Sequence, residues 1–239
     1  MDKNIILENE NIKIINEMSN FKIELKQSAY LLINSLIKTR IIQGGSTDET
    51  YKVIIFNAKS VKSLEEFINE RTISRGRKNL SVSDIAKMII TLTKQLNYLI
   101  EYESHTIIGY NVRDIIVIND EKFAFLGGEL VANIDIEDDE MATISSPFSV
   151  NDFFLSPEIL TITEIPSKIH YKTAYFSLGI LLVYMLSGDD DYYKDYLKHK
   201  RSEKILECLN GHPVKNTRIY WLLSRCLVEE AKNRSIIII

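Results

Sequence analysis

The chain is poor in the residues that punctuate or staple a fold. Its 239 residues hold two cysteines, four prolines, nine glycines and one tryptophan. Two cysteines, Cys208 and Cys226, are too few for a disulfide framework and fit a reducing compartment as small buried side chains. No Cys-x-x-Cys exists, and His105, His170, His199 and His212 show no paired spacing for a metal. The longest apolar runs, near Ile180–Leu186 and Ile236–Ile239, are too short to span a bilayer, so membrane insertion is not expected. No apolar signal core follows Met1-Asp2-Lys3, which with the cysteine usage gives a cytoplasmic expectation. A net charge of -4 leaves no basic footprint for nucleic acid.

What is present is an ordinary globular composition, 45% hydrophobic and 26% charged, long enough for one large domain or two unequal lobes. A short strand is expected at Ile12–Ile15. Ile23, Leu25, Leu32 and Leu36 predict a helix over Phe21–Ile37, capped by Ser19 or Asn20. Arg40–Gln43 and Tyr51–Phe56 read as strands around a Gly44–Asp48 loop, so residues 1–56 form a small unit with few strands. Ser63 caps a helix from Leu64 to Arg71. Ser81 or Ser83 caps a long helix to about Tyr102, with Ile85, Ile89, Leu92, Leu96 and Leu99 on one stripe. Ile115–Ile118 and Phe123–Leu126 flank a turn, which predicts a hairpin. Asn133–Phe154 reads as an irregular acidic segment, in which Asp135, Glu137, Asp138, Asp139 and Glu140 form a solvated charge run. A short helix after Pro157 and a loop at Pro166 follow. Thr173–Leu186 is apolar all round and predicts a buried central helix. Tyr192–Leu197, Ser202–Leu209 and Thr217–Val228 supply closing helices.

This order resembles that of the protein kinase family. Tyr51–Phe56, Asn57–Ser60 and SLEEFI resemble the last small-lobe strand, the hinge and the first large-lobe helix. Leu155–Leu160 resembles the Ala-Pro-Glu region, Tyr175–Asp189 the central helix, and Cys226–Arg234 the closing segment. The resemblance implies an α+β, protein kinase-like two-lobed fold: a truncated small β-rich lobe over 1–56, a hinge at 57–60 and a mainly helical large lobe over 61–239. It also implies a structural ion pair between Glu158 and Arg234, and close packing at Gly179.

The same resemblance locates the chemistry. Phosphoryl transfer on this frame needs a lysine on the phosphates, carboxylate and amide oxygens on magnesium, and an aspartate facing the substrate hydroxyl. An ungapped match puts Gly109-Tyr110-Asn111 on His-Arg-Asp and Ile116 on the metal-binding Asn; a one-residue slip brings Asp114 nearer the catalytic position. Gly127-Gly128-Glu129 falls on Asp-Phe-Gly, and Ala174 on the brace of the catalytic loop. Lys13 is a vestige of the nucleotide lysine, with only twelve residues ahead of it, too few for the usual strand–Gly-loop–strand hairpin. Ala29 takes the place of the pairing glutamate, with Glu24 nearby. No cofactor or metal is expected, and the chain is expected to be no enzyme.

Scaffold retained and catalytic positions changed is the pattern of a pseudokinase. Gly127-x-Glu129, Leu155-Ser156-Pro157 and Phe176–Leu182 are similar to the mixed lineage kinase domain-like pseudokinases. That family implies a host receptor-interacting kinase as partner. A truncated poxvirus-type homologue, without the family's helical bundle, would act as a decoy that inhibits necroptosis from the cytoplasm of an infected cell. The family's phosphoacceptor pair would fall near Asp135-Ile136, neither of which takes phosphate. Expected partner contacts are Asp135, Phe148, Phe153, Phe154, Ile162 and Ile165. The alternatives are a pseudokinase scaffold or allosteric regulator, and an atypical enzyme on a kinase frame.

Overall fold

Residues 21–25 alternate between buried and half-exposed side chains, the period of a strand rather than a helix. The computed structural model describes residues 4–18, 20–76, 79–135, 137–138, 140–147, 153–189 and 191–236. In it the N-terminal part is one antiparallel five-stranded sheet. Its strands are β1 (Asn4–Glu8), β2 (Ile12–Glu17), β3 (Asn20–Leu25), β4 (Gly45–Thr47) and β5 (Val53–Phe56), in the spatial order β1-β2-β3-β5-β4. Helix α1 (Ala29–Lys38) connects β3 to β4.

Several expectations fail here. The helix expected over Phe21–Ile37 is two elements: Phe21, Ile23 and Leu25 face the core from β3, and Leu32, Ile33 and Leu36 do so from α1. Apolar residues separated by a strand-to-helix switch mimicked one helical stripe. Asn20 starts β3 instead of capping a helix, and Ser19 lies outside the described residues. Arg40–Gln43 is a turn pinned by Lys122 Nζ, which donates to the carbonyls of Arg40 (2.8 Å) and Ile41 (3.1 Å). The Gly44–Asp48 loop contains a strand, with Gly45 opposite Phe56. The small unit therefore has five strands, not few.

The rest is mainly helical. Strand β6 (Val61–Ser63) leads into α2 (Leu64–Arg75), whose first turn is capped by Ser63 Oγ accepting from Glu66 N at 3.1 Å. Helix α3 (Val82–Glu103) is capped by Ser81, whose Oγ accepts from Asp84 N (3.0 Å) and donates to Asp84 Oδ2 (2.6 Å). All five stripe residues of α3 are buried. Two short strands follow, β7 (His105–Ile107) and β8 (Gly109–Tyr110), then the hairpin β9 (Ile115–Ile118) and β10 (Lys122–Phe125). Asn119 and Asp120 make its turn, both with positive φ.

The outer edge of β10 is closed by α3 side chains one turn apart. Thr91 Oγ1 accepts from Phe123 N (3.1 Å), and Gln95 Oε1 accepts from Phe125 N (2.9 Å). Gln95 Nε2 donates to Phe125 O (2.9 Å) and to Ser35 Oγ of α1 (3.0 Å), so one buried amide joins both parts of the molecule.

Part of the segment expected to be irregular is strand. Strands β11 (Val131–Asp135) and β12 (Met141–Ile144) pair with each other, β11 also with β7, and β12 with β14 (Ser167–His170). Between them lie β13 (Phe154–Leu155), paired to β8, and α4 (Pro157–Leu160). Helix α5 (Thr173–Ser187) is buried along nearly its whole length. Helices α6 (Asp191–His199), α7 (Glu203–Gly211) and α8 (Arg218–Cys226) complete the chain. Gly179 of α5 lies where a Cβ would meet Cys226 Cβ at 3.1 Å, so its missing side chain sets the approach of α8. The architecture is mixed α+β, sheet-rich at the N-terminal side and helical at the C-terminal side, compatible with two lobes. Among the described residues no helix is long and apolar enough to cross a membrane.

Candidate functional site

The polar groups of the β1–β2 turn and of the segments on either side of the β9–β10 hairpin converge on one cleft. It encloses about 330 Å³ and is lined by Asn9, Glu10 and Asn11 from above and by Asn111, Arg113, Asp114, Glu129 and Phe153 from below. Asn9 fixes the turn through itself: its Oδ1 accepts from the amides of Asn11 and Ile12, both at 2.8 Å. Its Nδ2 then reaches down to Arg113 O (3.2 Å) and Asp114 Oδ1 (3.4 Å). The tip of the first hairpin is thereby tied to the cleft floor.

The floor is built from local geometry. Asn111 Oδ1 accepts from Arg113 N (2.9 Å) and opens a 3-10 turn over Val112–Asp114. That turn delivers Asp114, 3% exposed, to the start of β9. Burial, and after it the charge of Glu129, pushes the Asp114 carboxyl up to about 6; Asn9 and Arg113 oppose the shift. Glu10 and Glu129 also line the cleft, against one cation, Arg113.

Two glycines that follow the hairpin are packed too closely to carry side chains. A Cβ on Gly127 would sit 2.7 Å from Asp114 Oδ2 and 2.6 Å from Phe125 Cζ. A Cβ on Gly128 would sit 2.2 Å from Gln27 O and 2.6 Å from Gln27 C. The 3-10 turn Gly128–Leu130 thus packs backbone to backbone on the segment before α1, and Ser28 Oγ donates to Gly128 O (3.0 Å). Ser28 spends its hydroxyl on this bond rather than on capping α1.

Of the expected site residues, Asn111 and Glu129 line the cleft, Gly127 abuts Asp114, and Gly128 packs on Gln27. Others do not. Ile116 lies in the middle of β9, fully buried opposite Ala124, and does not reach the cleft; Asp114 does. Gly109 and Tyr110 are strand residues paired to Leu155 and Phe154. Tyr110 packs edge-on to Phe125 with centroids 5.1 Å apart, and its buried hydroxyl has no partner. Lys13 is on β2, ion-paired to Glu8 at 3.0 Å and away from the floor. The lysine of the third strand is Lys22, paired to Glu24 at 2.6 Å. Ala29 is the first residue of α1 and is buried; Glu24 is not on the helix.

Glu158 and Arg234 are paired. Arg234 is fully buried, with Nη2 2.7 Å from Glu229 O and 3.0 Å from Glu158 Oε2, and Nε 2.7 Å from Val228 O. Its guanidinium lies 4.7 Å above the Phe176 ring. The expected contact residues fare differently. Phe153 and Phe154 are buried, Phe153 at the edge of the cleft and Phe154 against Tyr184 and Tyr193. Asp135 is ion-paired to Lys168 at 3.8 Å on the β11–β12 edge. Ile162 is half-buried, Ile165 is 44% exposed, and Phe148 lies outside the described residues.

The sequence reading missed Asn9 and the Gln27–Gly128 contact. The first carried a signal: Ile5–Leu7 and Ile12–Ile15 flank Asn9-Glu10-Asn11, a turn between two apolar runs. The second had none, because nothing local marks where two backbones touch. Among the described residues no group of three or more His, Cys, Asp or Glu side chains is arranged to hold a metal ion. No protein-family model matches the chain, and no curated protein matches its sequence.

Proposed function

We propose that this chain is a pseudokinase: a non-catalytic module on a protein kinase-like frame that works by binding another protein. The carrying observation is the packing of Gly127 against Asp114, a residue that lines the cleft. Where the resemblance to kinases puts the magnesium-binding aspartate, Gly127 has no room for a side chain beside Asp114. The element order supports the frame: a first hairpin, a third strand with a lysine, a helix, two more strands, then a long helix and a hairpin before the two glycines. The turn of that first hairpin is three residues without glycine, and it is bonded to the floor. Carboxyl groups of Glu10, Asp114 and Glu129 line the space a nucleotide's phosphates would need, which disfavours an anion there. The ion pair Glu158–Arg234 supports the scaffold half of the resemblance.

The finer reading comes from the likeness of Gly127-Gly128-Glu129 and Leu155-Ser156-Pro157 to mixed lineage kinase domain-like pseudokinases. It makes the partner a receptor-interacting kinase and the outcome restraint of necroptosis. A thermal-shift titration with ATP, with and without Mg²⁺, tests the first statement: no shift is expected, and a metal-dependent shift overturns it. Retention of a purified receptor-interacting kinase on immobilised chain tests the second, and failure to retain it removes that partner while leaving the binding module.

A further inference from the structure

The last helix carries a surface that the cleft does not explain. From Gly211 to Val228 the chain has no acidic residue, although its net charge is -4. Within that stretch Arg218, Trp221 and Arg225 recur at i, i+3 and i+7, one face of α8. The adjoining face, Leu222, Leu223 and Cys226, is buried. Trp221, the chain's one tryptophan, is 54% exposed. Tyr220 stands edge-on to it with centroids 5.0 Å apart, and Tyr220 is itself held by its hydroxyl donating to Asn210 Oδ1 of α7 at 2.7 Å. The indole is therefore presented on a fixed support. Among the described residues no carboxylate pairs with Arg218 or Arg225. Arg225 is half-buried, and its Nε has no acceptor among the described residues.

We propose that this face of α8 is a docking surface for an acidic protein segment that places an aromatic or long aliphatic side chain on Trp221 between two carboxylates. Charge complementarity selects the occupant. The two guanidinium-bearing positions are about 10 Å apart along the helix, the span of about three residues of extended chain. Arginine binds carboxylates through two parallel N–H groups, and tryptophan and arginine are the side chains that anchor interfaces. This surface is independent of the reading of the cleft, and either can fail without the other.

Because Trp221 is the only indole, its emission reports on this site alone. The probe is the capped peptide acetyl-Asp-Glu-Phe-Glu-Asp-amide. A saturable change in emission is expected, weakened by raising salt from about 0.05 to about 0.5 M. The change Arg218→Glu at an exposed position should weaken binding about five-fold, the value of one surface ion pair at the upper end of its range. Arg225→Glu should do the same, with far-ultraviolet circular dichroism verifying the fold of both variants. Lys52→Glu, the same charge change on β5's approach, should leave binding unchanged. Absence of a saturable change up to about 1 mM peptide overturns the proposal. So does equal weakening by Lys52→Glu, or an equal response to the lysine-substituted peptide or to a short DNA duplex.

Discussion

Substituting Gly128 by alanine is expected to separate the two parts of the molecule at this contact. The added Cβ would lie 2.2 Å from Gln27 O, 2.6 Å from Gln27 C and 3.0 Å from Gln27 Cβ. Two of these are backbone atoms, which cannot swing aside as the end of a side chain can. One side must retreat, and the Ser28 Oγ–Gly128 O hydrogen bond is lost with it. Overpacking of this kind costs about 1–3 kcal/mol and the hydrogen bond about 1, giving about 2–4 kcal/mol in all. For a chain of this size that is a fall of about 4–16 °C in melting temperature. Gly211→Ala is the control: nothing lies within 4 Å of its Cβ, and it ends α7. Alanine there should be neutral or stabilising by up to about 1 kcal/mol. Ser28→Ala should cost about 1 kcal/mol alone and nothing further on top of Gly128→Ala, since the bond is already broken. A Gly128→Ala protein that melts within about 1 °C of the unaltered chain refutes the backbone contact.

Gln95→Leu should cost about 2 kcal/mol or more in urea denaturation, because it strands the Phe125 amide and carbonyl in the core, while the Ser35 hydroxyl keeps its bond to Leu32 O. Glu158→Gln should cost about 2–3 kcal/mol, below the usual loss for a broken buried pair, because Glu158 is partly exposed and Arg234 keeps the Val228 and Glu229 carbonyls; a loss under about 0.5 kcal/mol would mean that solvent already screens the pair. Asp114 gives the pH dependence. Its carboxyl is raised to about 6 in the folded chain, so between about pH 4 and pH 6 the folded state holds more protons than the unfolded. Its contribution is favourable below that window and is lost as pH rises through it. Asp114→Asn should remove this slope and be the more stable form above pH 6; carboxyl NMR of Asp114 titrating near 4 would contradict the assignment.

Local patterns were enough where one element's own side chains decide its form. The α3 stripe, the Ser63 and Ser81 caps, the all-apolar α5 and the β9–β10 hairpin are legible because period, cap chemistry and turn residues lie within a few positions of each other. Where the likeness to kinases was used, it led to the Glu158–Arg234 pair, but its ungapped register ran past Asp114 to Ile116, which faces the core. The boundary between β3 and α1 was lost because Ile23, Leu25, Leu32 and Leu36 fit a helical spacing until the sheet around β3 is known. The β11–β12–β14 pairing was lost because short strands with charged faces have little period of their own.

Residue order alone was enough for α2, α3, α5 and the β9–β10 hairpin, and for the absence of an aspartate in the Gly127-Gly128-Glu129 segment. Only the tertiary structure decided that Asn9 closes the cleft from above, that Gly128 rests on the backbone of Gln27, and that Gln95 joins α1, α3 and β10. Each of these is a contact between groups tens of residues apart. Its energy depends on distances set by the packing of whole elements, and no neighbouring residue along the chain carries a trace of it.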